Sequence, residues 1–225
     1  MDQKFIIIVA GGTGTRMQST TPKQFIEING QAIIIRTINV FLNYDPAIKI
    51  IISVHRDFKT CLDELIAKHI PGKKNISVVL GGDTRFHSVK NGLVLVDDEN
   101  AIVGIHDAAR PSVSIQTIKN CFDTAKEKGN AIPVIAINDS LRTVNGEKNA
   151  SVNRNNYKII QTPQCFLASK IKKAFLQEYN SSFTDDATVL EAIGEKINLV
   201  EGNIENIKIT DQFDLAIAKA LLHNE

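Results

Sequence analysis

The chain has 225 residues, of which 43% are hydrophobic and 23% charged, an ordinary globular composition for one α/β domain or two small domains. A formal net charge of +1 excludes a whole-protein field that attracts nucleic acid or an anionic membrane. No apolar run is long enough to span a bilayer, which favours a cytoplasmic protein without a membrane partner.

The cysteines are Cys61, Cys121 and Cys165, and their spacing matches no CxxC motif or Cys/His metal site. This pattern is typical of reduced thiols in a cytosolic protein. The apolar run near the N-terminus is short and ends in glycines, so it predicts a buried strand and not a signal peptide.

Short β-branched, almost continuously apolar segments predict strands that are covered on both faces, as in a parallel sheet. The predicted strands are 4–10, 48–54, 76–80, 101–107 and 131–137. Helical periodicity predicts helices over 32–43, 58–69, 88–96 and 115–129. This alternation predicts a doubly wound α/β sheet, and Gly129 is a residue type favoured at a helix C-cap.

The alternation stops after residue 137. Residues 138–161 are polar and rich in Asn, and the Asn-Gly pair at 145–146 is a strong hairpin signal. We therefore expect a β-arm that leaves the main sheet within a single domain spanning 1–225. Because an arm with few apolar residues is marginal alone, we expect it to pack against a second copy in a homodimer.

Regular elements return near the C-terminus. The sequence predicts a helix over 184–194 that ends at Gly194, and a strand over 196–202. An amphipathic helix with Thr210 as its N-cap completes the chain.

The glycine loop GGTGTRMQSTTPKQF follows the first strand. A dinucleotide-binding G-x-G-x-x-G counted from Gly12 has Met17 in place of the third glycine, and a P-loop would need a Gly-Lys pair. Backbone N–H groups in such a turn can approach an anion, which Arg16 and Lys23 could flank. A solvated turn is the alternative, but Pro22 fixes the backbone before the lysine and favours phosphate binding.

A second glycine turn, GGDTRFHSVKNGL, follows the third strand. Arg85 and Ser88 are three residues apart and could face a polar ligand. The alternative is a capped helix, with Ser88 as the N-cap and Asp83 in a tight turn. These residues alone favour the capped helix.

The sequence IHDAARPSV places Asp107 at the carboxyl end of a buried strand, where open α/β sheets bind ligands. Its carboxylate could hold a metal ion or a sugar hydroxyl, and the following alanines leave room for a ligand. The alternative is a structural ion pair between Asp107 and Arg110. His106 is interpreted as a hydrogen-bonded core histidine and not as a catalyst.

Lys208 lies inside an apolar strand pattern, NIKIT, where a charge is costly unless it reaches a ligand or partner. An edge-strand lysine that faces water is an equal alternative. The sequence has no Ser-His-Asp pattern and no His/Cys cluster. Catalysis by positioning and charge stabilisation is therefore expected, which is what phosphoryl or nucleotidyl transfer mainly demands.

Six blocks in order resemble the 2-C-methyl-D-erythritol 4-phosphate cytidylyltransferases of the non-mevalonate isoprenoid pathway. They are AGGTGTRM…PKQF, GGDTRFHSV, HDAARP, TPQCF, TDDATVLE and NIKIT. The resemblance runs from residue 5 to about residue 220 and implies a Rossmann-like nucleotidyltransferase fold with a protruding β-arm. One departure is Ala-Gly-Gly at 10–12, where Ala-Ala-Gly is commoner; we expect it to be tolerated.

The resemblance implies that the phosphate of methylerythritol phosphate attacks the α-phosphorus of CTP, which releases pyrophosphate. It further implies that Mg²⁺ or another divalent cation is required and is held mostly by the CTP phosphates, close to Asp107. The arms of two subunits would interlock, so Ser140 and Arg154 would serve the partner's active site.

Site residues are carried over by matching positions. The catalytic set would be Arg16, Lys23, Arg154 and Lys208. CTP would be bound by Ala10, Gly11, Gly12, Thr13, Gly14, Thr15, Gly82, Asp83, Ser88 and Ala108. The sugar-alcohol phosphate would be held by Asp107, Arg110, Ser140, Arg154, Thr184 and Lys208.

Two other functions remain as alternatives. A ribitol-5-phosphate cytidylyltransferase would share the glycine loop, but RFHSV, HDAARP and TDDATVLE favour the erythritol substrate. A non-catalytic nucleotide-binding module has no need of both Arg16 and Lys23, since binding alone requires no transition-state stabilisation.

Overall fold

The computed structural model describes residues 3–12 and 21–222. Within these ranges the strands are β1 (Lys4–Ala10), β2 (Glu27–Ile28), β3 (Gln31–Ala32), β4 (Lys49–Val54), β5 (Ile76–Leu80), β6 (Ile102–Asp107), β7 (Asn130–Ala136), β8 (Leu141–Asn145), β9 (Lys148–Val152), β10 (Lys158–Ile160), β11 (Gln164–Leu167) and β12 (Leu199–Glu201). The α-helices are α1 (Ile33–Tyr44), α2 (Lys59–His69), α3 (Arg85–Leu93), α4 (Ile115–Lys128), α5 (Ala168–Ala174), α6 (Asp186–Glu191) and α7 (Gln212–Leu221). Short 3₁₀ turns lie at Lys23–Phe25, Arg56–Phe58 and Arg154–Asn156.

The main sheet has the order β10-β7-β11-β6-β1-β4-β5, with β12 beside β7. Strands β6, β1, β4 and β5 are parallel, whereas β11 is antiparallel to both β6 and β7. The prediction of an α/β fold with a mostly parallel sheet is confirmed. Because the carboxyl ends of the four parallel strands lie at one edge, the loops that follow them meet there.

Both faces of the central strands are covered, which explains their continuous apolar character. In β1, Ile6 and Ile8 pack into the core on one side of the sheet. Phe5 and Ile7 point to the opposite side and pack into a second core beneath α3 and α5. This double burial holds the end of β1 firmly in place.

The predicted strands at 4–10, 48–54, 76–80, 101–107 and 131–137 are confirmed within a residue or two. Strand β11, which lies between β7 and β6 in the sheet, was not predicted from the sequence. Its first residue, Gln164, is a polar side chain in the core: the amide donates to Asp185 and its oxygen accepts from the N–H of Ala187. A polar residue in this role interrupts the apolar pattern that marked the other strands.

Two predicted helix caps are wrong. Helix α3 begins after Thr84, whose hydroxyl accepts from the N–H of His87, so Ser88 lies inside the helix. Helix α7 is capped by Asp211 and not by Thr210. In both cases a neighbouring residue satisfies the first free N–H groups of the helix. Gly129, with φ 89°, ends α4 as predicted.

The Asn-Gly hairpin is confirmed. Strands β8 and β9 pair antiparallel around Gly146, which has a φ of 59°. The polar segment rejoins the main sheet before its predicted end, because β10 pairs with β7. The segment around Lys208 was read as a strand but is an extended loop, tied to Ala109 by one backbone hydrogen bond.

Within the described ranges, no helix is both long and apolar enough to cross a bilayer. Cys61, Cys121 and Cys165 are all described, and each is a free thiol.

Candidate active site

A cleft of about 590 Å³ opens at the carboxyl edge of the sheet, between the ends of β1, β4, β5 and β6. It is lined by Val9, Ala10, Gly11, Gly12, Lys23, Gln24, His55, Arg56, Gly81, Gly82, Asp83, Thr84, Arg85, Ser88, Asp107, Ala108, Ala109 and Lys208. Residues far apart in the sequence are thus brought to one surface by the sheet.

The glycine turn after β1 forms one wall of the cleft. Ala10 ends the strand, and Gly11 and Gly12 follow it. The predicted site residues Thr13, Gly14, Thr15 and Arg16 lie outside the described residues.

Lys23 lies at the start of a 3₁₀ turn on the same wall. Pro22 precedes it with a φ of −58°, as the sequence analysis expected of a residue that fixes the backbone. The turn brings Lys23 into the cleft, beside the glycine turn, although eleven residues separate it from Gly11 in the sequence.

Ser88 joins the two glycine turns. Its hydroxyl accepts a hydrogen bond of 3.1 Å from the N–H of Gly82. A Cβ at Gly11 would lie 3.1 Å from this Oγ, and one at Gly81 would lie 3.0 Å away. Gly11 therefore lets the Ser88 side chain approach the turn that follows β1. The Ala-Ala-Gly form would require Ser88 to shift by a few tenths of an ångström.

Asp107 lies at the end of β6 and faces three cations. Its Oδ2 is 3.1 Å from Nε of Arg110 and 3.1 Å from Nζ of Lys208, and its Oδ1 is 3.7 Å from Nε of Arg85. Burial alone would raise the pKa of this carboxyl, but Arg85, Lys208 and Arg110 hold it well below its usual range. The ion pair with Arg110 that the sequence analysis offered as an alternative is present, within a larger cluster.

Asp186, in the first turn of α6, binds Arg85 on the side that faces away from the cleft. The guanidinium donates to both carboxylate oxygens, at 2.7 and 2.6 Å, and Asp186 is fully buried. Burial disfavours the charged guanidinium, but Asp186 and Asp107 outweigh that cost, so the pKa of Arg85 lies above its usual value. The pair connects the base of α3 to the segment that contains Thr184.

Sequence reasoning missed this pair. The local sequence favours a capped helix over a ligand-facing role for Arg85, and it indicates no role for Asp186. Their partnership spans 101 residues, so no local pattern could reveal it. The available signal was the adjacent acidic pair in TDDATVLE, since one carboxylate, Asp185, suffices to cap the helix.

His106 is a buried, hydrogen-bonded core histidine, as predicted. Its Nδ1 lies 3.0 Å from Oγ1 of Thr162, and its Nε2 lies 3.0 Å from the carbonyl oxygen of Arg110. Burial lowers the pKa of His106 to about 4, so the ring is neutral at physiological pH. It supports the loop that presents Arg110 to Asp107.

Four of the described predicted site residues do not line this cleft. Arg110 lies outside the lining and reaches it only through its ion pair with Asp107. Ser140 and Arg154 lie on the polar segment 138–161, where the guanidinium of Arg154 donates to the carbonyl oxygen of Asn138. Thr184 lines a separate cavity of about 490 Å³ between β12 and α6. One chain thus brings together Lys23, Asp107 and Lys208, but not the residues of the arm.

The comparisons with known proteins agree along nearly the whole chain. A sequence model of 2-C-methyl-D-erythritol 4-phosphate cytidylyltransferase matches residues 5–224. The protein of that name from Bacteroides fragilis is 46% identical, over 96% of this chain and 98% of its own length. The one from Bacillus velezensis is 35% identical, over 98% of this chain and 96% of its own length. A crystal structure of 4-diphosphocytidyl-2C-methyl-D-erythritol synthase from Anaerococcus prevotii superposes with a TM-score of 0.84 at 26% identity, covering 99% of this chain and 96% of that one.

Replacing Asp186 by Asn tests the support of Arg85. The substitution keeps the side-chain shape but removes the negative charge from a buried pair, so we expect a loss of about 2 kcal/mol in the free energy of unfolding. Asp123→Asn is the matched control, because its pair with Lys119 is exposed to solvent and should contribute little to the free energy of unfolding. Urea denaturation measures both, and equal losses would contradict the structural role of Asp186.

Proposed function

The chain belongs to the 2-C-methyl-D-erythritol 4-phosphate cytidylyltransferase family, and we propose that the cleft at the carboxyl edge of its sheet is where the reaction occurs. The chain is a cytidylyltransferase of the non-mevalonate isoprenoid pathway that uses CTP as co-substrate. The observation that carries the site proposal is that Arg85 and Lys208 meet Asp107 in one cleft with the glycine turn and Lys23, while Arg110 binds Asp107 from outside the lining. The comparisons do not favour ribitol phosphate as substrate or a non-catalytic module.

The reaction joins two phosphates. An oxygen of the methylerythritol phosphate forms a bond to the α-phosphorus of CTP, and the bond from that phosphorus to the α,β-bridging oxygen breaks. Pyrophosphate leaves with the electron pair. Negative charge accumulates around a five-coordinate phosphorus, so fixed cations are the catalytic groups such a transfer requires. Lys23, from its place beside the glycine turn, and Arg16 supply them.

CTP lies along the wall formed by the two glycine turns. Backbone N–H groups after β1, beginning with Gly11, bind the triphosphate. Gly82, Asp83 and Ser88 recognise the cytosine, and Ala108 leaves space for the nucleotide because its side chain is a single methyl. The support for this placement is that Ser88 contacts both turns.

The methylerythritol phosphate occupies the side of the cleft near β6. Arg85 and Lys208 line the cleft there and, with Arg110 beside them, present positive charge that attracts a phosphate. Asp107 accepts a hydrogen bond from a substrate hydroxyl, while Lys208 and Arg110 neutralise the substrate's phosphate.

A divalent cation, Mg²⁺ or another, binds together with CTP and neutralises its phosphates. The described residues do not fit a protein-built metal site: they contain no cluster of three His, Cys, Asp or Glu side chains that could hold an ion. Asp107 already faces three positive charges, which oppose a further cation at its oxygens. The cation is therefore held by the phosphates.

The whole chain forms one domain, and the part of its polar segment that precedes β10, residues 138–157, is an arm that reaches a second subunit. Large apolar side chains remain exposed on this segment: the exposed fraction is 70% for Val144 and 47% for Tyr157. Contact with a second copy would cover them. Ser140 and Arg154, which do not line the cleft of their own chain, then contribute to the cleft of the partner subunit. Free thiols at Cys61, Cys121 and Cys165 suit a reducing, cytoplasmic location.

Replacing Lys23 by Ala tests the catalytic assignment. Because Lys23 stabilises charge that develops in the transition state, we expect kcat to fall by about a thousandfold while the affinity for CTP falls less than tenfold. Pyrophosphate release from CTP, Mg²⁺ and methylerythritol phosphate measures kcat, and calorimetry measures CTP binding. Lys119→Ala, at an exposed lysine on α4, is the control.

Equal losses in turnover and CTP affinity would show that Lys23 contributes only to ground-state binding. In the same assay the unaltered enzyme should release pyrophosphate with methylerythritol phosphate. Release with ribitol 5-phosphate alone would overturn the assignment of the substrate.

Mixing inactive variants tests whether the arm serves the partner. Lys23→Ala and Arg154→Ala should each be weak alone, but a mixed dimer has one site with neither defect. Random exchange of subunits should then restore about a quarter of the sites. Pyrophosphate release after mixing measures the recovery.

The control mixes Lys23→Ala with Lys208→Ala. Both lysines line the cleft of one chain, so every site in the mixed dimer keeps one defect and no activity should return. If the Arg154→Ala mixture also fails to recover, the arm does not act across the interface.

A further inference from the structure

The side-chain amide of Gln24 connects the 3₁₀ turn that carries Lys23 to the glycine turn after β1. Its Nε2 donates to the carbonyl oxygen of Ala10 at 2.9 Å and to that of Gly12 at 3.0 Å. The side chain is only 2% exposed. An NH₂ group has two hydrogens, so each carbonyl takes one of them. The two bonds hold the backbone on both sides of Gly11.

The turn that contains Gln24 is itself anchored to the core. Phe25, the next residue, is buried in the same hydrophobic cluster as Ala10, and its ring lies 5.5 Å from that of Phe58. The N–H of Phe25 donates to the carbonyl oxygen of Pro22. Since Lys23 lies between Pro22 and Gln24, its backbone has a fixed place relative to the glycine turn.

The hydrogen bonds of Gln24 also orient the amide groups of the glycine turn. In a trans peptide the C=O and the following N–H point in opposite directions. The carbonyl of Ala10 points toward Gln24, so the N–H of Gly11 points away from it. Because Gln24 donates to the carbonyl oxygen of Ala10, the N–H of Gly11 faces away from Gln24 and is available to an anion.

We propose that Gln24 is a positioning residue for the transfer reaction: it holds the glycine turn and Lys23 in one arrangement, so that the triphosphate and the catalytic cation are aligned. The proposal rests on the placement of CTP in this cleft. No other side chain of the same size does this, because the amide must donate twice while buried and uncharged.

Two variants of equal bulk test the proposal. Gln24→Met removes both donors without a charge, and we expect kcat/KM for CTP to fall by roughly a hundredfold, because the reacting groups lose their alignment. In Gln24→Glu, at a pH above the pKa of the introduced carboxyl, a carboxylate faces the two carbonyl oxygens. When that carboxyl is protonated it regains one donor, so part of the activity should return.

The pH dependence has a definite sign. Burial and the facing carbonyl oxygens raise the pKa of the introduced carboxyl. The cations Lys23 and Arg56 line the same cleft, as does His55, and their positive charge opposes this rise, whereas the two carbonyl oxygens lie within hydrogen-bond distance of the side chain. The activity of Gln24→Glu divided by that of the unaltered enzyme should therefore rise as pH falls from about 8.5 to about 6, a range in which such raised carboxyl pKa values lie. The same ratio for Gln24→Met should stay constant. KM for methylerythritol phosphate should change little in both, since the substitution lies on the CTP side.

Gln177 offers a matched control. Its Nε2 also donates to two backbone carbonyls, those of Ala174 and Val189, at 2.8 and 3.1 Å, away from the cleft. Gln177→Glu carries the same chemical change, so it should leave the activity ratio constant with pH. Thermal unfolding of each variant at each pH shows that the folded protein is assayed.

Full activity in Gln24→Met, or a Gln24→Glu ratio that does not change with pH, would overturn the role of Gln24. A failure of the CTP placement is a separate outcome, because Lys23→Ala would then also retain its turnover. If Lys23→Ala loses turnover while the Gln24 variants match the Gln177 control, only the positioning role is wrong.

Discussion

The carboxylate of Asp107 holds three cations in place at the carboxyl edge of the sheet. Each comes from a different part of the chain: Arg85 from α3, Arg110 from the loop after β6, and Lys208 from the segment before α7. Without the carboxylate these positive groups would repel one another at short range. With it the three cations remain close together at the edge of the sheet.

The support for this cluster extends into the body of the protein. Asp186 fixes Arg85 from the buried side. His106 donates from Nε2 to the carbonyl oxygen of Arg110 and accepts at Nδ1 from the hydroxyl of Thr162. These partners do not line the cleft. Their role is to keep the cations in one arrangement, since a preorganised charge need not reorient as the reaction proceeds.

The opposite wall of the cleft depends on shape more than on charge. Glycines at 11 and 81 leave no Cβ where Ser88 packs, and Gln24 binds the backbone on both sides of Gly11. A nucleotide can thus approach the main chain directly. This arrangement places main-chain donors and Lys23 on one wall and the cations around Asp107 on the other, and transfer between two phosphates requires such fixed groups.

Much of this could be predicted from the sequence, and the reasons are physical. Double burial makes the central strands continuously apolar, and glycine turns after strands mark a ligand-binding edge. Pairings that depend on tertiary contact could not be predicted: Arg85 with Asp186, the insertion of β11, and the choice of Thr84 over Ser88 as a cap. Lys208 was noticed because a charge in an apolar segment is costly, yet its partner, Asp107, is 101 residues away.

A crystal structure with CTP bound tests the central claim most directly. The account predicts the triphosphate within hydrogen-bond distance of the Gly11 and Gly12 amides and of Lys23, with the cytosine against Gly82 and Ser88. A nucleotide bound instead in the cavity beside Thr184, or one that leaves Lys23 remote from the α-phosphate, would contradict it.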